Sequence, residues 1–190
     1  MVAVRLVRFV VVFVLLVCTA GCTGGGNEGD SVTGVRAVAD PLPMLSGTDL
    51  QGKQLSAQGL GATALVINAW ATWCEPCEQE QPALVDVAER YADRGVAFLG
   101  INHADQDAKA LEWVRHYGVP YRSLSDPAGR FAATMGYIGL PDTYVVDGSG
   151  TIRYVIAGAT DAAQLSGLLD QVLAAQTSAS SATAANSPAK

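Results

Sequence analysis

Apolar and polar residues follow two alternating patterns through the middle of the chain. Short, mostly apolar runs at 64–70 and 95–102 are typical of buried strands. After each run, apolar residues recur three and four positions apart, which predicts amphipathic helices at about 84–91 and 110–117, the second closed by Gly118. A strand-helix-strand-helix series predicts an α/β domain in which these strands pair in parallel.

Turn signals add elements on both sides of this series. A glycine-containing turn predicts a small hairpin within residues 45–56, and a second one joins strands at 143–146 and 152–156. A short helical piece is expected at about 128–135, and Thr160 is a candidate N-cap for a last amphipathic helix. Because hairpins are antiparallel, the predicted sheet is mixed.

The first 21 residues have the layout of a secretory signal. Two arginines precede an apolar stretch at 9–17, which is shorter than the ~20 residues of a membrane-spanning helix. The Thr-Ala-Gly that precedes Cys22 resembles the lipobox of bacterial lipoproteins, although Thr19 stands where leucine is usual. That resemblance implies an acylated Cys22 (palmitate or a similar lipid) and a lipid-anchored protein on the extracytoplasmic face of the cell membrane. Ordinary signal cleavage and an uncleaved anchor remain alternatives.

The remaining chain divides by composition. Residues 22–39 are rich in Gly, Ser, Asn and acids and are expected to form a flexible tether. Residues 40–175 contain the periodic segments and are the predicted domain, whereas 176–190 are mostly Ala, Ser and Thr and are expected to be a disordered tail.

Charge narrows the classes of partner. The formal net charge is −6, and loss of the signal with Arg5 and Arg8 takes it to −8. An acidic chain without clusters of Lys and Arg is not suited to bind nucleic acid or anionic lipid electrostatically. Membrane attachment would therefore depend on the lipid.

The cysteine count directs attention to one pair. Cys18 lies in the apolar run and Cys22 at the lipobox, so the domain keeps Cys74 and Cys77 in an oxidising compartment. A disulfide across two residues closes a very small loop and stabilises little, which favours a chemical role. At a strand-to-helix junction, free helix N–H groups lower the thiol pKa of the first cysteine, so Cys74 attacks and Cys77 resolves the mixed disulfide. The neighbouring Glu75 opposes thiolate formation by charge repulsion.

Two motifs carry a family resemblance. Trp73-Cys74-Glu75-Pro76-Cys77 and the later Gly139-Leu140-Pro141-Asp142-Thr143 resemble the thioredoxin superfamily, and most of all its membrane-tethered ResA and TlpA type. Glu80 and Pro82 match an acid and a proline that this type carries after its second cysteine. The resemblance implies a thioredoxin-like fold, with a mixed central sheet flanked by helices, an N-terminal β-hairpin and an inserted strand and helix at about 95–118.

The resemblance also implies how substrate is bound. Pro141 matches a cis-proline that lies against the cysteines and presents the backbone of Leu140 to an incoming peptide. Trp73 and Pro76 are expected to complete this substrate-binding surface, whereas Trp70 is expected in the core.

Glu80 is the candidate proton carrier. Positions 74, 77 and 80 are three apart and share one side of a helix, so Glu80 could exchange protons with Cys77. The alternative is that Glu80 is one more solvated acid. Asn68 stands where plain thioredoxin has an acid, which leaves Glu80 as the single candidate for this task.

The predicted activity is disulfide exchange with protein substrates, without cofactor or metal. A reductant of exported proteins such as apocytochrome c, re-reduced by a membrane electron-transfer partner, is favoured over an oxidant of secreted proteins.

A peroxiredoxin-like thiol peroxidase would need Ser or Thr where the chain has Ala71. A zinc site would need two further ligands, and His103 and His116 lack the usual spacing; a copper chaperone would need Cys-x₃-Cys. A lipoprotein that merely displays a binding surface is the remaining class, which loss of activity in Cys74→Ser would exclude.

Overall fold

The computed structural model describes residues 34–185, so the predicted signal peptide, Cys22 and residues 186–190 lie outside the described residues. Eight strands are present in this range: β1 (Gly34–Pro41), β2 (Ser46–Thr48), β3 (Gln54–Ser56), β4 (Ala64–Trp70), β5 (Val96–His103), β6 (Ser123–Asp126), β7 (Asp142–Asp147) and β8 (Thr151–Ala157). Four α-helices accompany them: α1 (Glu75–Tyr91), α2 (Asp107–Tyr117), α3 (Arg130–Met135) and α4 (Ala162–Ala185).

Six of the strands form one sheet in the order β1-β8-β7-β4-β5-β6. β4 pairs in parallel with β5 and antiparallel with β7, and β5 pairs in parallel with β6. β8 is antiparallel to both β7 and β1, and β2 and β3 form a separate hairpin. The predicted mixed sheet, N-terminal hairpin and inserted strand and helix are confirmed.

The sheet separates two apolar clusters. On one face, α1 and α4 bury Leu84, Val87, Leu165 and Leu169 against the sheet. The other face is covered by the β2–β3 hairpin and α3, and Leu45 is fully buried there. Complete burial of each leucine stabilises the fold by about 1.5–3 kcal/mol. Because β4 lies at the centre of the sheet with every residue buried, the segment that follows it starts from a rigid position.

The domain is longer at both ends than the sequence predicts. β1 begins at Gly34, inside the stretch expected to be a tether up to residue 39, because its backbone pairs with the edge of β8 although most of its side chains are exposed. α4 continues to Ala185, beyond the expected end of the domain at 175, and there the hydroxyls of Thr177, Ser178 and Ser181 donate to backbone carbonyls four residues earlier in the helix. No helix within residues 34–185 is both long and apolar enough to cross a membrane.

The N-cap of α4 differs from the prediction. The side chain of Asp161, not of Thr160, accepts the hydrogen bond from the N–H of Gln164, at 2.8 Å. Thr160 lies one residue earlier, where its own N–H is directed to a buried carboxylate described below. Asp and Thr are both favourable N-caps, so residue type alone could not separate these neighbours.

Candidate active site

The two cysteines lie where the central strand β4 gives way to helix α1. Their sulfurs form a disulfide of 2.04 Å with a Cα–Cα distance of 5.3 Å. Cys74 is the N-cap of α1, and its sulfur accepts a hydrogen bond from the N–H of Cys77 at 3.2 Å. Pro76 occupies the first turn, where its missing N–H costs nothing. The helix N-terminus thus places donor groups at Cys74, the arrangement that stabilises a thiolate.

Glu80 lies one turn further along α1 and is 2% exposed. Its two carboxylate oxygens accept hydrogen bonds from Asn68 Nδ2 at 2.8 Å and from the N–H of Thr160 at 2.9 Å. Burial raises the pKa of Glu80 to about 7, although both hydrogen bonds lower it, and the charge of Asp142 raises it further. The interpretation of Glu80 as a solvated acid is therefore wrong. A carboxyl that titrates near neutral pH is suited to proton transfer.

Asn68 connects Glu80 to the strand that follows the cis-proline. Its Nδ2 also donates to Thr143 Oγ1 at 3.0 Å, while its Oδ1 is buried without a hydrogen-bond partner among the described residues. The amide thus directs its donor side at the Glu80 carboxylate. An acid in place of Asn68 would instead repel that carboxylate.

The segment before β7 lies beside the cysteines. The Leu140–Pro141 peptide bond is cis, as the resemblance implies, and the carbonyl of Pro141 accepts from the N–H of Gly158 at 2.9 Å. Leu140 packs against the apolar cluster that contains both Cys74 and Cys77. An open cavity of about 420 Å³ adjoins this segment and is lined by Leu140, Pro141 and residues of β1. The lining of this cavity includes neither cysteine.

Asp142 is a second buried acid near the site that sequence reasoning missed. It is 6% exposed, its Oδ2 accepts from Tyr144 Oη at 2.7 Å, and its Oδ1 has no partner among the described residues. Burial raises its pKa, and its charge in turn raises the pKa of Glu80. Glu80 is thus not the single acid in the region. Asp142 follows Pro141 directly, but its residue type gave no signal that its carboxyl would be buried.

Trp73 and Trp70 have the different environments that were predicted. Trp73 is 60% exposed beside Cys74, and its indole N–H donates to the carbonyl of Ala104 at 3.2 Å. Trp70 is buried, and its indole N–H donates to Ser123 Oγ at 3.3 Å. Trp73 and the exposed Pro76 therefore offer surface to a partner, whereas Trp70 belongs to the core.

Known proteins resemble this arrangement along most of the domain. The AhpC/TSA family matches residues 38–155. The thiol:disulfide interchange protein DsbE of Pseudomonas aeruginosa is 36% identical over 126 residues, which cover 66% of this chain and 62% of that protein. The thiol-disulfide oxidoreductase ResA of Bacillus anthracis is 29% identical over 125 residues, covering 66% of this chain and 72% of ResA.

A solved structure agrees with the fold. The thiol:disulfide interchange protein of the thioredoxin family from Chlorobium tepidum superposes with a TM-score of 0.64 at 31% identity, covering 73% of this chain and 99% of its own. The thioredoxin-like fold and the predicted family resemblance are confirmed. With a Cys-x-x-Cys pair at the start of a helix and relatives that are thiol-disulfide oxidoreductases of the DsbE and ResA type, the chain belongs to the AhpC/TSA family.

Proposed function

We propose that this protein is an extracytoplasmic thiol-disulfide oxidoreductase that reduces disulfides in exported proteins, with apocytochrome c as the candidate substrate. One observation carries the proposal: a Cys-x-x-Cys pair caps α1, and a buried Glu80 on the same helix has its pKa raised to about 7. The names of its relatives, DsbE and ResA, support the same chemistry.

The reaction transfers two electrons from the protein dithiol to the substrate. The Cys74 thiolate attacks one sulfur of the substrate disulfide, so that bond breaks, a mixed disulfide forms and a substrate thiolate leaves. The Cys77 thiolate then attacks the sulfur of Cys74, which forms the Cys74–Cys77 disulfide and releases the second substrate thiolate. The substrate is reduced, the protein is oxidised, and a partner must return the two electrons before the next cycle.

Glu80 supplies the proton acceptor for the second attack. Cys77 is 1% exposed, so water has poor access to its thiol proton. Glu80 lies three residues further along the same helix, and both side chains are directed into the domain. A carboxylate with a pKa of about 7 can accept that proton near neutral pH and release it later.

The charges around the cysteine pair support a reducing direction. A strong oxidant owes its potential to a highly stabilised thiolate in its reduced form. Here the exposed Glu75 follows Cys74 directly, and Glu80 places a buried acid three residues after Cys77, so both disfavour the thiolate.

The reduction potential and the Cys74 thiol pKa test this direction together. We expect a potential well below that of the strong oxidant DsbA and a thiol pKa well above ~3.5. Values near ~−120 mV and ~3.5 would identify an oxidant of secreted proteins instead. Glu75→Gln should lower the Cys74 pKa, whereas Glu89→Gln, an exposed acid at the far end of α1, is the matched control and should not.

Loss of the gene tests the substrate. A deletion strain should lack c-type cytochromes, and the wild-type gene should restore them while Cys74→Ser should not. Restoration by Cys74→Ser would favour a protein that only binds its partners. A deletion strain with normal cytochromes would point to other exported substrates.

A peroxidase function has less support. Ala71 provides no hydroxyl, and the hydroxyl of Thr72 donates to Asp105 Oδ1 at 2.9 Å, which engages it away from an incoming peroxide. We expect no consumption of hydrogen peroxide above the uncatalysed rate in the presence of dithiol. Peroxide consumption that is lost in Cys74→Ser would favour the peroxidase over the disulfide reductase.

We place the protein at the extracytoplasmic face of the cell membrane, anchored by lipid on Cys22. The lipobox-like sequence before Cys22 supports this location, and a membrane protein is then the natural source of electrons. Labelled palmitate should enter the wild-type protein but not Cys22→Ala. Equal labelling of both would exclude acylation at this residue.

A further inference from the structure

Two loops meet at the end of the sheet that carries the cysteines. β4 and β5 are parallel neighbours, and the last residue of β4, Trp70, is paired with Asn102. The segment 71–73, which leads to Cys74, therefore lies beside the segment 103–106, which leads to α2. Contacts between these two segments determine how Cys74 is presented.

Asp105 makes most of these contacts. Its Oδ2 accepts from the N–H of Thr72 at 2.7 Å and from Asn102 Nδ2 at 3.0 Å. Its Oδ1 accepts from Thr72 Oγ1 at 2.9 Å and from the N–H of Gln106 at 2.7 Å. One carboxylate thus receives four hydrogen bonds, two of them from the residue two positions before the nucleophile.

The ionised state of Asp105 suits this role. Partial burial raises its pKa, but the hydrogen bonds from Thr72, Asn102 and Gln106 outweigh that effect and hold the pKa below its usual range. Asp105 therefore stays a carboxylate at neutral pH, with acceptors at both oxygens. An amide in its place would turn a donor toward groups that are themselves donors.

Trp73 is held by the same loop. The indole N–H donates to the carbonyl of Ala104, and the His103 ring lies edge-on to the indole at 6.4 Å between centroids. Ala104 has a φ of +47°, a region that alanine rarely adopts. The strained residue of this loop, Ala104, is thus the one whose carbonyl accepts from Trp73, and the next residue, Asp105, accepts from Thr72.

We propose that Asp105 is a positioning residue for disulfide exchange, whose carboxylate fixes Thr72, two residues before Cys74, and thereby orients the Cys74 sulfur toward the substrate disulfide. This inference rests on the proposed function and deepens it. The inserted strand and helix then have a direct task, since their connecting loop holds the segment that carries the nucleophile.

The test compares Asp105→Ala, Asp105→Asn and Thr72→Val with Asp107→Asn. Asp107 is a matched control because it lies two residues away, carries the same charge and accepts from Ser125 Oγ rather than from the cysteine segment. The reduction rate of an oxidised Cys-x-x-Cys peptide gives kcat/KM, and alkylation of Cys74 as a function of pH gives its thiol pKa. Unfolding curves verify that each variant is folded.

We expect both Asp105 variants to lose at least about tenfold in kcat/KM, with a smaller loss for Thr72→Val and none for Asp107→Asn. If Asp105 acted only through its charge, kcat/KM would instead increase in both variants, because removal of a negative charge favours the Cys74 thiolate and speeds up exchange. Rates for folded Asp105→Asn that equal or exceed those of Asp107→Asn would therefore overturn the proposal. If Asp105→Ala does not fold, Asp105→Asn and Thr72→Val decide in the same way.

Cys74→Ser separates this proposal from the one on which it depends. If that variant is inactive while the Asp105 variants are normal, only the positioning role fails. If Cys74→Ser still reduces the peptide, the proposed function itself fails.

Discussion

Glu80→Gln measures how the buried carboxyl affects the free energy of unfolding. The carboxylate accepts from two donors, Asn68 Nδ2 and the N–H of Thr160. Glutamine keeps the shape of the side chain but has one acceptor and one donor group, so it can satisfy only one of these donors. It also abolishes the titration. The two effects on stability can be separated, because the loss of the hydrogen bond acts at every pH, whereas the loss of the titration changes how stability depends on pH.

The magnitude follows from the raised pKa. The pKa of Glu80 is about 7 in the folded protein, against 4.5 for an exposed glutamate. Because the folded pKa is the higher one, the folded state holds a proton that the unfolded chain has released between these two values. The free energy of unfolding must therefore fall as pH rises from about 4.5 to about 7, by about 3 kcal/mol at 1.36 kcal/mol per pKa unit. The lost hydrogen bond costs about 1–3 kcal/mol at every pH.

Urea unfolding of the oxidised protein at pH 4.5 and pH 8 provides the assay. We expect Glu80→Gln to be less stable than wild type at pH 4.5 and to regain about 3 kcal/mol relative to wild type at pH 8. Glu89→Gln, on the exposed side of the same helix, should show no comparable change. A difference between Glu80→Gln and wild type that stays constant within about 1 kcal/mol would refute the reasoning, because it would mean that Glu80 is not strongly desolvated.

Three further predictions concern the same region. Cys77→Ser should accumulate a mixed disulfide with substrate on non-reducing gels, whereas Cys74→Ser should not, because Cys74 attacks first in the proposed exchange. Asn68→Leu removes a donor from the Glu80 carboxylate and should raise its pKa, which shifts the lower limb of the kcat-against-pH profile to higher pH. Leu84→Ala should lower the free energy of unfolding by about 2–5 kcal/mol, since Leu84 is fully buried, yet leave the reduction potential unchanged within error. A shifted potential in Leu84→Ala would show that core packing also sets the redox couple.

Local patterns were sufficient to predict the elements that carry the cysteines. β4 was predicted at 64–70 and lies at Ala64–Trp70. A short, β-branched apolar run favours a strand over a helix, and the proline-containing start of α1 that follows limits where this strand can end. The disulfide pair Cys74–Cys77 and the cis-proline could be predicted because each is part of a short contiguous motif. β6 was missed, since its sequence Ser-Leu-Ser-Asp has no strand-like pattern and it forms through pairing with β5.

Contacts between distant residues could not be predicted in the same way. Asp105 binds Thr72 across 33 positions, and Asp142 and Glu80 interact from separate elements. Nothing in their residue type distinguishes Asp105 and Asp142 from the solvated acids on α1, whereas the spacing of Glu80 from the two cysteines had singled it out. Their environments are set by the order of strands in the sheet, which brings the ends of β4, β5 and β7 together.

The pairing of the first strand has a consequence for where substrates meet the enzyme. Gly34 is paired with Ala157, Ala157 with Asp142, and Asp142 with Ala69. The start of β1 therefore lies at the same end of the sheet as the end of β4, which the cysteines follow. Three strand spacings of ~4.8 Å separate that entry point from β4. Eleven residues separate Cys22 from Gly34, so a chain length of at most about 40 Å joins the two when it is fully extended. If Cys22 carries lipid as proposed, the Cys74–Cys77 pair would lie within a few nanometres of the bilayer, where a polypeptide that leaves the membrane could meet it before that polypeptide folds.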